Sequence, residues 1–208
     1  GGEIDLEDLA GRDCYAGLDL ASTTDTASLV LYFPEVHAVL VFVWVPERAC
    51  LERERRNKTR FDGWIASGDM LCTPGDVIDY ERIRAKINEL GVQYRIVEIA
   101  IDRWNATQLA TQLQGDGFEV VGFGQGFASM TAPTKDLECL VIEGKLRHGG
   151  HPVMRWMAGN VSVETDAAGN LKPSKKTSQE KIDAIVALIM ALGRALVQEE
   201  SAPSIGVL

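Results

Sequence analysis

Apolar and polar residues alternate along residues 14–20. Cys14, Ala16, Leu18 and Leu20 fall on one side, and Tyr15, Gly17 and Asp19 on the other, which is the period-two pattern of a strand. The polar stretch 21–26 reads as a turn. Two further strand-like runs follow at residues 27–33 and 38–45, parted by a turn around Pro34, so the first part of the chain predicts an antiparallel meander of three strands. Residues 47–65 are charged and predict a helix. A second helix is predicted over 79–90, with Ile83, Ile87 and Leu90 on one side and Gly91 as its stop. Residues 95–101 are apolar but for Arg95 and Glu98, as in a central strand buried on both faces. A helix over 105–114, a short strand over 118–122, a mostly helical stretch over 130–146 after Pro133 and a long helix over 178–198 complete the pattern. The order predicts an α/β fold, a mixed sheet of meander plus parallel strands with helices on both faces. Residues 1–13 read as an acidic lead-in or linker, 14–200 as one domain, and 201–208 as a loose tail.

Three aspartates stand out against this pattern, because a carboxylate among apolar residues costs free energy unless it is paired or binds a metal. Asp19 lies on the strand face opposite the apolar set. Asp102 ends the apolar central strand, where open α/β sheets place ligand groups, and Asn105 with Gln108 competes with it as the helix cap. Asp183 has Ile182, Ala184, Ile185 and Val186 around it. Thr177 and Glu180 have capping-box spacing, so Thr177 is the expected N-cap and Asp183 is expected past the first turn, facing something cationic. Three such acids suit hard divalent ions, Mg²⁺ or Mn²⁺, one or two in number. His148 and His151, which flank Gly149 and Gly150, read as a surface turn.

The bulk composition narrows this further. The 208 residues carry a net charge of −9, which sits awkwardly with phosphate binding: either DNA binding is local and weak, or another domain or subunit supplies the basic surface. Four scattered cysteines with no Cys-x-x-Cys argue against a zinc ribbon or a disulfide framework and fit a reducing compartment. The longest apolar run, residues 184–192, is about half of the roughly 20 residues that a membrane span needs, and no secretion signal is present.

The segments Gly17-Leu18-Asp19-Leu20-Ala21-Ser22-Thr23-Thr24-Asp25, Ile101-Asp102-Arg103-Trp104-Asn105-Ala106 and Lys181-Ile182-Asp183-Ala184 resemble the nuclease domain of tailed-phage large terminase subunits. Thr73-Pro74-Gly75-Asp76-Val77-Ile78-Asp79-Tyr80 and His151-Pro152-Val153-Met154-Arg155-Trp156 add to the likeness, which runs from about residue 11 to 196. The resemblance implies a ribonuclease H-like endonuclease that cuts concatemeric viral DNA during genome packaging, with Asp19, Asp102 and Asp183 as the metal-binding acids. It also implies double-stranded DNA, an N-terminal ATPase motor, a portal and a small terminase subunit as partners, and the cytoplasm of an infected bacterium as the location. No Gly-x-x-x-x-Gly-Lys-Ser/Thr loop occurs, so the expectation is a C-terminal domain without the motor, and residues 3–13 stand for its linker.

Two basic segments are candidates for gripping DNA. One holds Arg53, Arg55, Arg56, Lys58 and Arg60 among Glu52 and Glu54, where internal ion pairs compete with phosphate binding. The other holds Lys172, Lys175, Lys176 and Lys181 just before Asp183, where a lysine can stabilise a phosphate. Lys175, Lys176, Arg55 and Arg56 are the DNA-binding candidates. The alternatives are another ribonuclease H-like nuclease of the junction-resolvase or transposase type, an actin-like phosphotransferase fragment suggested by residues 17–24, and a silent docking domain.

Overall fold

The computed structural model describes residues 2–20, 25–55, 61–102 and 107–201. The chain opens with a short helix α1 (Leu6–Leu9), then forms the meander β1 (Asp13–Leu20), β2 (Ala27–Phe33) and β3 (Ala38–Pro46). Two helices, α2 (Glu47–Arg55) and α3 (Asp62–Ser67), lead into β4 (Leu71–Thr73). Next come α4 (Tyr80–Gln93), β5 (Arg95–Asp102), α5 (Thr107–Gly115) and β6 (Val120–Phe123). The last third holds α6 (Phe127–Ile142), α7 (Pro152–Asn160), the hairpin β7 (Val163–Thr165) and β8 (Leu171–Pro173), and α8 (Asp183–Ser201).

Six strands form one sheet in the order β4-β3-β2-β1-β5-β6. The β1–β2 and β2–β3 pairs are antiparallel, while β1–β5, β5–β6 and β3–β4 are parallel. Period-two alternation sorts the side chains of β1 into two cores. Cys14, Ala16, Leu18 and Leu20 pack with α4 and α5, whose Ile83, Ile87, Leu109 and Leu113 are buried against them. Tyr15 faces the other core, built on α6, α7 and α8. The mixed sheet with helices on both faces is as the sequence predicts.

Packing of α8 on β1 is unusually close, and the residue types at the contact explain it. A Cβ on Gly17 would lie 1.8 Å from the carbonyl oxygen of Ala187. Glycine in the strand, with Ala184, Ala187 and Ala191 on the helix, lets the two backbones meet. Farther along α8, Arg194 Nε donates to Glu98 Oε2 at 2.6 Å and Gln198 Nε2 to Glu98 Oε1 at 2.9 Å, so the buried acid of the central strand is compensated.

Several boundaries differ from the sequence expectation. The charged stretch 47–65 is not one helix: α3 is a separate element with Phe61 as its N-cap. Gly91 does not stop α4, which continues to Gln93 with Tyr94 as its cap. Its missing side chain makes room for the ring of Phe118, 2.8 Å from where a Cβ would stand. Helix α6 starts at Phe127 and carries Pro133 in its interior, with the ring buried toward Gly193. Strand β4, helix α7 and the β7–β8 hairpin have no counterpart in the sequence pattern; His151 is the N-cap of α7, its Nδ1 accepting from the Met154 amide at 3.3 Å. The lead-in carries α1, whose Leu9 is buried. The cap read at Asn105 lies outside the described residues.

The largest correction concerns α8, which begins at Asp183 rather than near Ser178. Thr177 is not its cap: residues 174–178 form a separate turn in which Ser178 N donates to the Ser174 carbonyl and Thr177 N to Ser174 Oγ. Side-chain capping within that turn outcompetes helix formation. Asp183 therefore sits in the first turn, where the helix dipole itself favours a carboxylate.

Candidate active site

Asp19 and Asp183 meet at the carboxyl end of β1. The register that pairs Gly17 with Ala100 and Leu18 with Ile101 brings Asp19 to the end of a central strand, on the face covered by α8. The close approach at Gly17 lowers the first turn of α8 onto that same point. Both acids are almost fully buried, at 1% and 3% exposure. Lys175, from the segment between β8 and α8, puts its Nζ 2.6 Å from Asp19 Oδ2 and 3.2 Å from Asp183 Oδ1. One ammonium thus touches two buried carboxylates.

The surrounding polar groups orient these acids. Gln125 Nε2 donates to Asp19 Oδ1 at 3.1 Å, and the Thr26 hydroxyl donates to Asp183 Oδ2 in a short hydrogen bond. Burial pushes the Asp19 carboxyl up to about 6, with the charge of Asp183 adding to the rise and Lys175 opposing it. Burial also works against the charge on Lys175, but the two carboxylates hold its pKa above the ordinary lysine value. Lys181 pairs with Asp25 close by.

Asp102 ends β5, the strand beside β1, and its place in the alternation with Ala100 turns it to the α8 face. It is half-buried and does not close on the other two acids: among the described residues, no three His, Cys, Asp or Glu side chains stand close enough together to hold a metal ion. The fit to a divalent cation rests on the pair. A position between two buried carboxylates, already taken by a positive group, suits a cation, and the groups around it are oxygen-rich, as hard ions require.

The basic candidates divide. Lys175 is in the site, whereas Lys176 is exposed beside it. In α2, Arg55 is exposed, and Arg56 lies outside the described residues. Arg53 is committed to the fold, with its guanidinium 2.7 Å from Glu180 Oε2 and 4.4 Å from the Phe61 ring centroid. Arg48 pairs with Glu52 one turn on. The internal ion-pair reading of this segment holds for Arg48 with Glu52, whereas Arg53 pairs outside the segment, with Glu180. Sequence reasoning missed Gln125 and Thr26. Gln125 lies in a two-glycine segment and Thr26 in a polar turn, so neither stands out by type, and only the tertiary fold shows their partners.

The large terminase subunit of Enterobacteria phage HK97 is 36% identical over 189 residues, covering 88% of this chain and 38% of that protein. The crystal structure of the HK97 bacteriophage large terminase superposes with a TM-score of 0.81 at 34% identity, over 92% of this chain and 43% of that one. The large terminase nuclease from thermophilic phage G20c with bound magnesium matches at TM-score 0.58 and 12% identity, over 89% of this chain and 84% of that one, a likeness of fold. The ribonuclease H-like mixed sheet expected from the sequence is thus the fold of this chain. The chain spans less than half of the HK97 protein. The family model of the terminase large subunit endonuclease domain matches residues 3–199, a stretch that carries all three aspartates and the strands and helix beneath them, and the chain belongs to that family.

Proposed function

We propose that this domain is a divalent-metal-dependent DNA endonuclease and that Asp19, Asp102 and Asp183 are its metal-binding acids. The observation that carries the reading is the Lys175 ammonium lodged against two buried carboxylates, a cation position at the carboxyl end of the central strands. Bound Mg²⁺ or Mn²⁺, one ion or two, supplies an activated water and a stabilised leaving oxygen for phosphodiester hydrolysis. The magnesium-bound G20c nuclease supports this choice of ion class.

The residues of this chain have distinct tasks. Asp19 and Asp183 hold the cation, and Gln125 and Thr26 keep their carboxylates aimed. Asp102, at the end of the neighbouring strand, would supply a further carboxylate oxygen to a bound ion. Lys175, which now holds that cation position, would be the group at hand to offset the charge of a scissile phosphate there. Lys176 and Arg55, both exposed, are the proposed contacts to the DNA backbone, together with Arg56.

The substrate is proposed to be double-stranded concatemeric viral DNA, cut during genome packaging in the cytoplasm of the infected bacterium. An ATPase motor in the remainder of the full-length polypeptide, the portal and the small terminase subunit would hold that DNA, which accounts for a nuclease domain with a net charge of −9. Among the described residues, no helix is long and apolar enough to cross a membrane.

Incubation with supercoiled plasmid in Mn²⁺, Mg²⁺ or EDTA tests the proposal. The wild-type domain should nick and linearise the plasmid only with metal, and Asp183→Asn and Asp102→Asn should each abolish cutting while keeping the far-UV spectrum. Cutting that survives either substitution would remove that acid from the site.

A further inference from the structure

Ser28 carries an orphan hydroxyl. It lies on β2 directly opposite Asp19 in the antiparallel register and is completely buried. Its Oγ has no hydrogen-bond partner among the described residues. Alternation along β2 places Ser28 on the side of Val30 and Tyr32, which pack with α8, and away from Leu29 and Leu31 in the other core. The hydroxyl and the Asp19 carboxylate therefore project from paired positions on one face, with Cβ atoms about 4.5–5.5 Å apart as for any directly opposed pair.

A buried hydroxyl without a partner lowers stability, and alanine would remove that cost. Such groups point to a role or to a missing water or ion. Here the orphan faces the Asp19 carboxylate, whose Oδ2 lies 2.6 Å from the Lys175 ammonium. The orphan hydroxyl thus stands register-paired with a buried carboxylate that already holds a cation, the Lys175 ammonium. A small hard cation keeps several of its waters when it binds protein carboxylates, and those waters need acceptors or donors on the protein.

We infer that Ser28 belongs to the cation site as a positioning residue, its hydroxyl holding a water of the hydrated ion beside Asp19 Oδ2. This rests on the metal-binding reading of Asp19 and Asp183. Groups outside the direct ligands that orient a metal's waters or ligands change affinity by roughly 10–100-fold when removed.

Isothermal titration of Mn²⁺ into the wild-type domain, Ser28→Ala and Asp183→Asn, with metal-free melting curves for all three, tests the inference. Ser28→Ala should melt at or above the wild-type temperature without metal, because only an unpartnered hydroxyl has gone, and should bind Mn²⁺ roughly 10-fold more weakly. Asp183→Asn should bind no Mn²⁺ at the site. Wild-type affinity in Ser28→Ala, with binding still lost in Asp183→Asn, would overturn the role of Ser28 and leave the cation site standing. A lower metal-free melting temperature in Ser28→Ala would make the hydroxyl structural and also overturn the inference. A wild-type domain that takes up no Mn²⁺ would remove the metal reading and this inference with it.

Discussion

Replacing Gly17 with alanine tests the packing on which the site depends. The new Cβ would stand 1.8 Å from the Ala187 carbonyl oxygen and 3.1 Å from the Ala191 amide nitrogen. An ordinary carbon contact is about 3.5 Å, so α8 must withdraw from β1 by well over 1 Å. The obstacle is helix backbone rather than a flexible side chain, so relief requires moving the whole element. Overpacking in a core typically costs about 1–3 kcal/mol, and a backbone clash in the centre of a sheet–helix layer belongs at the upper end. Gly17→Ala should therefore lose about 3 kcal/mol in denaturant titration, with a melting temperature lower by about 6–12 °C for a domain of this size. Retreat of α8 also carries Asp183 away from Asp19, so Mn²⁺ affinity should fall with stability. Gly63→Ala is the control: Gly63 lies in α3 with nothing within 4 Å of where a Cβ would stand, and alanine there should be neutral or gain about 0.5–1 kcal/mol. A Gly17→Ala domain within about 1 kcal/mol of wild type would refute the claim that glycine permits the contact.

Other substitutions probe the charges. Burial pushes Asp19 up to about 6, above an unfolded value near 3.9; a raised acid contributes stability that is fully present below about pH 4 and is lost as pH rises through about 6. Asp19→Asn removes that titration, so its stability relative to wild type should climb by about 2 kcal/mol between pH 4 and 6, and a flat difference would contradict the assignment. Lys175→Ala should destabilise the metal-free domain by about 1–2 kcal/mol, less than for a fully buried pair because the lysine is 41% exposed. It should also tighten Mn²⁺ binding in calorimetry by removing a competing cation, so weaker binding would count against displacement of Lys175. Arg194→Met leaves the buried Glu98 carboxylate without its charged partner, with only the Gln198 amide still donating to it, and should cost about 2–3 kcal/mol in denaturant titration. Mn²⁺ affinity should hardly change, since Glu98 lies well before Asp102 along β5, away from the acids; a large change in affinity would show unexpected coupling.

Much of this architecture was legible in the sequence because it rests on short-range periodicity. The alternation at residues 14–20 and the apolar run at 95–101 identify the central strands, and their register then sets Asp19 beside the end of β5. Burial of Asp183 was legible from its apolar neighbours. Its place in α8 was not, because Thr177 and Glu180 mimic a capping box while Ser174 ties the same segment into a separate turn. Gly91 misleads for a similar reason: a glycine that ends a helix and one that admits a neighbouring ring look alike until Phe118 is seen against it. Strands β4, β7 and β8 have three residues each, too few for a period to register. Lys175 stands out in the sequence for its nearness to Asp183, but its bridging of two carboxylates depends on where the β8–α8 segment falls, a matter of tertiary structure alone.

The metal site itself is best examined in a crystal of the domain grown with Mn²⁺ and measured at a wavelength where manganese scatters anomalously. The expected result is an anomalous peak between the carboxylates of Asp19 and Asp183, with the Lys175 ammonium moved away from both. A peak elsewhere on the domain, or Lys175 still lodged between the two acids with no manganese beside them, would contradict the assignment of these aspartates as metal ligands.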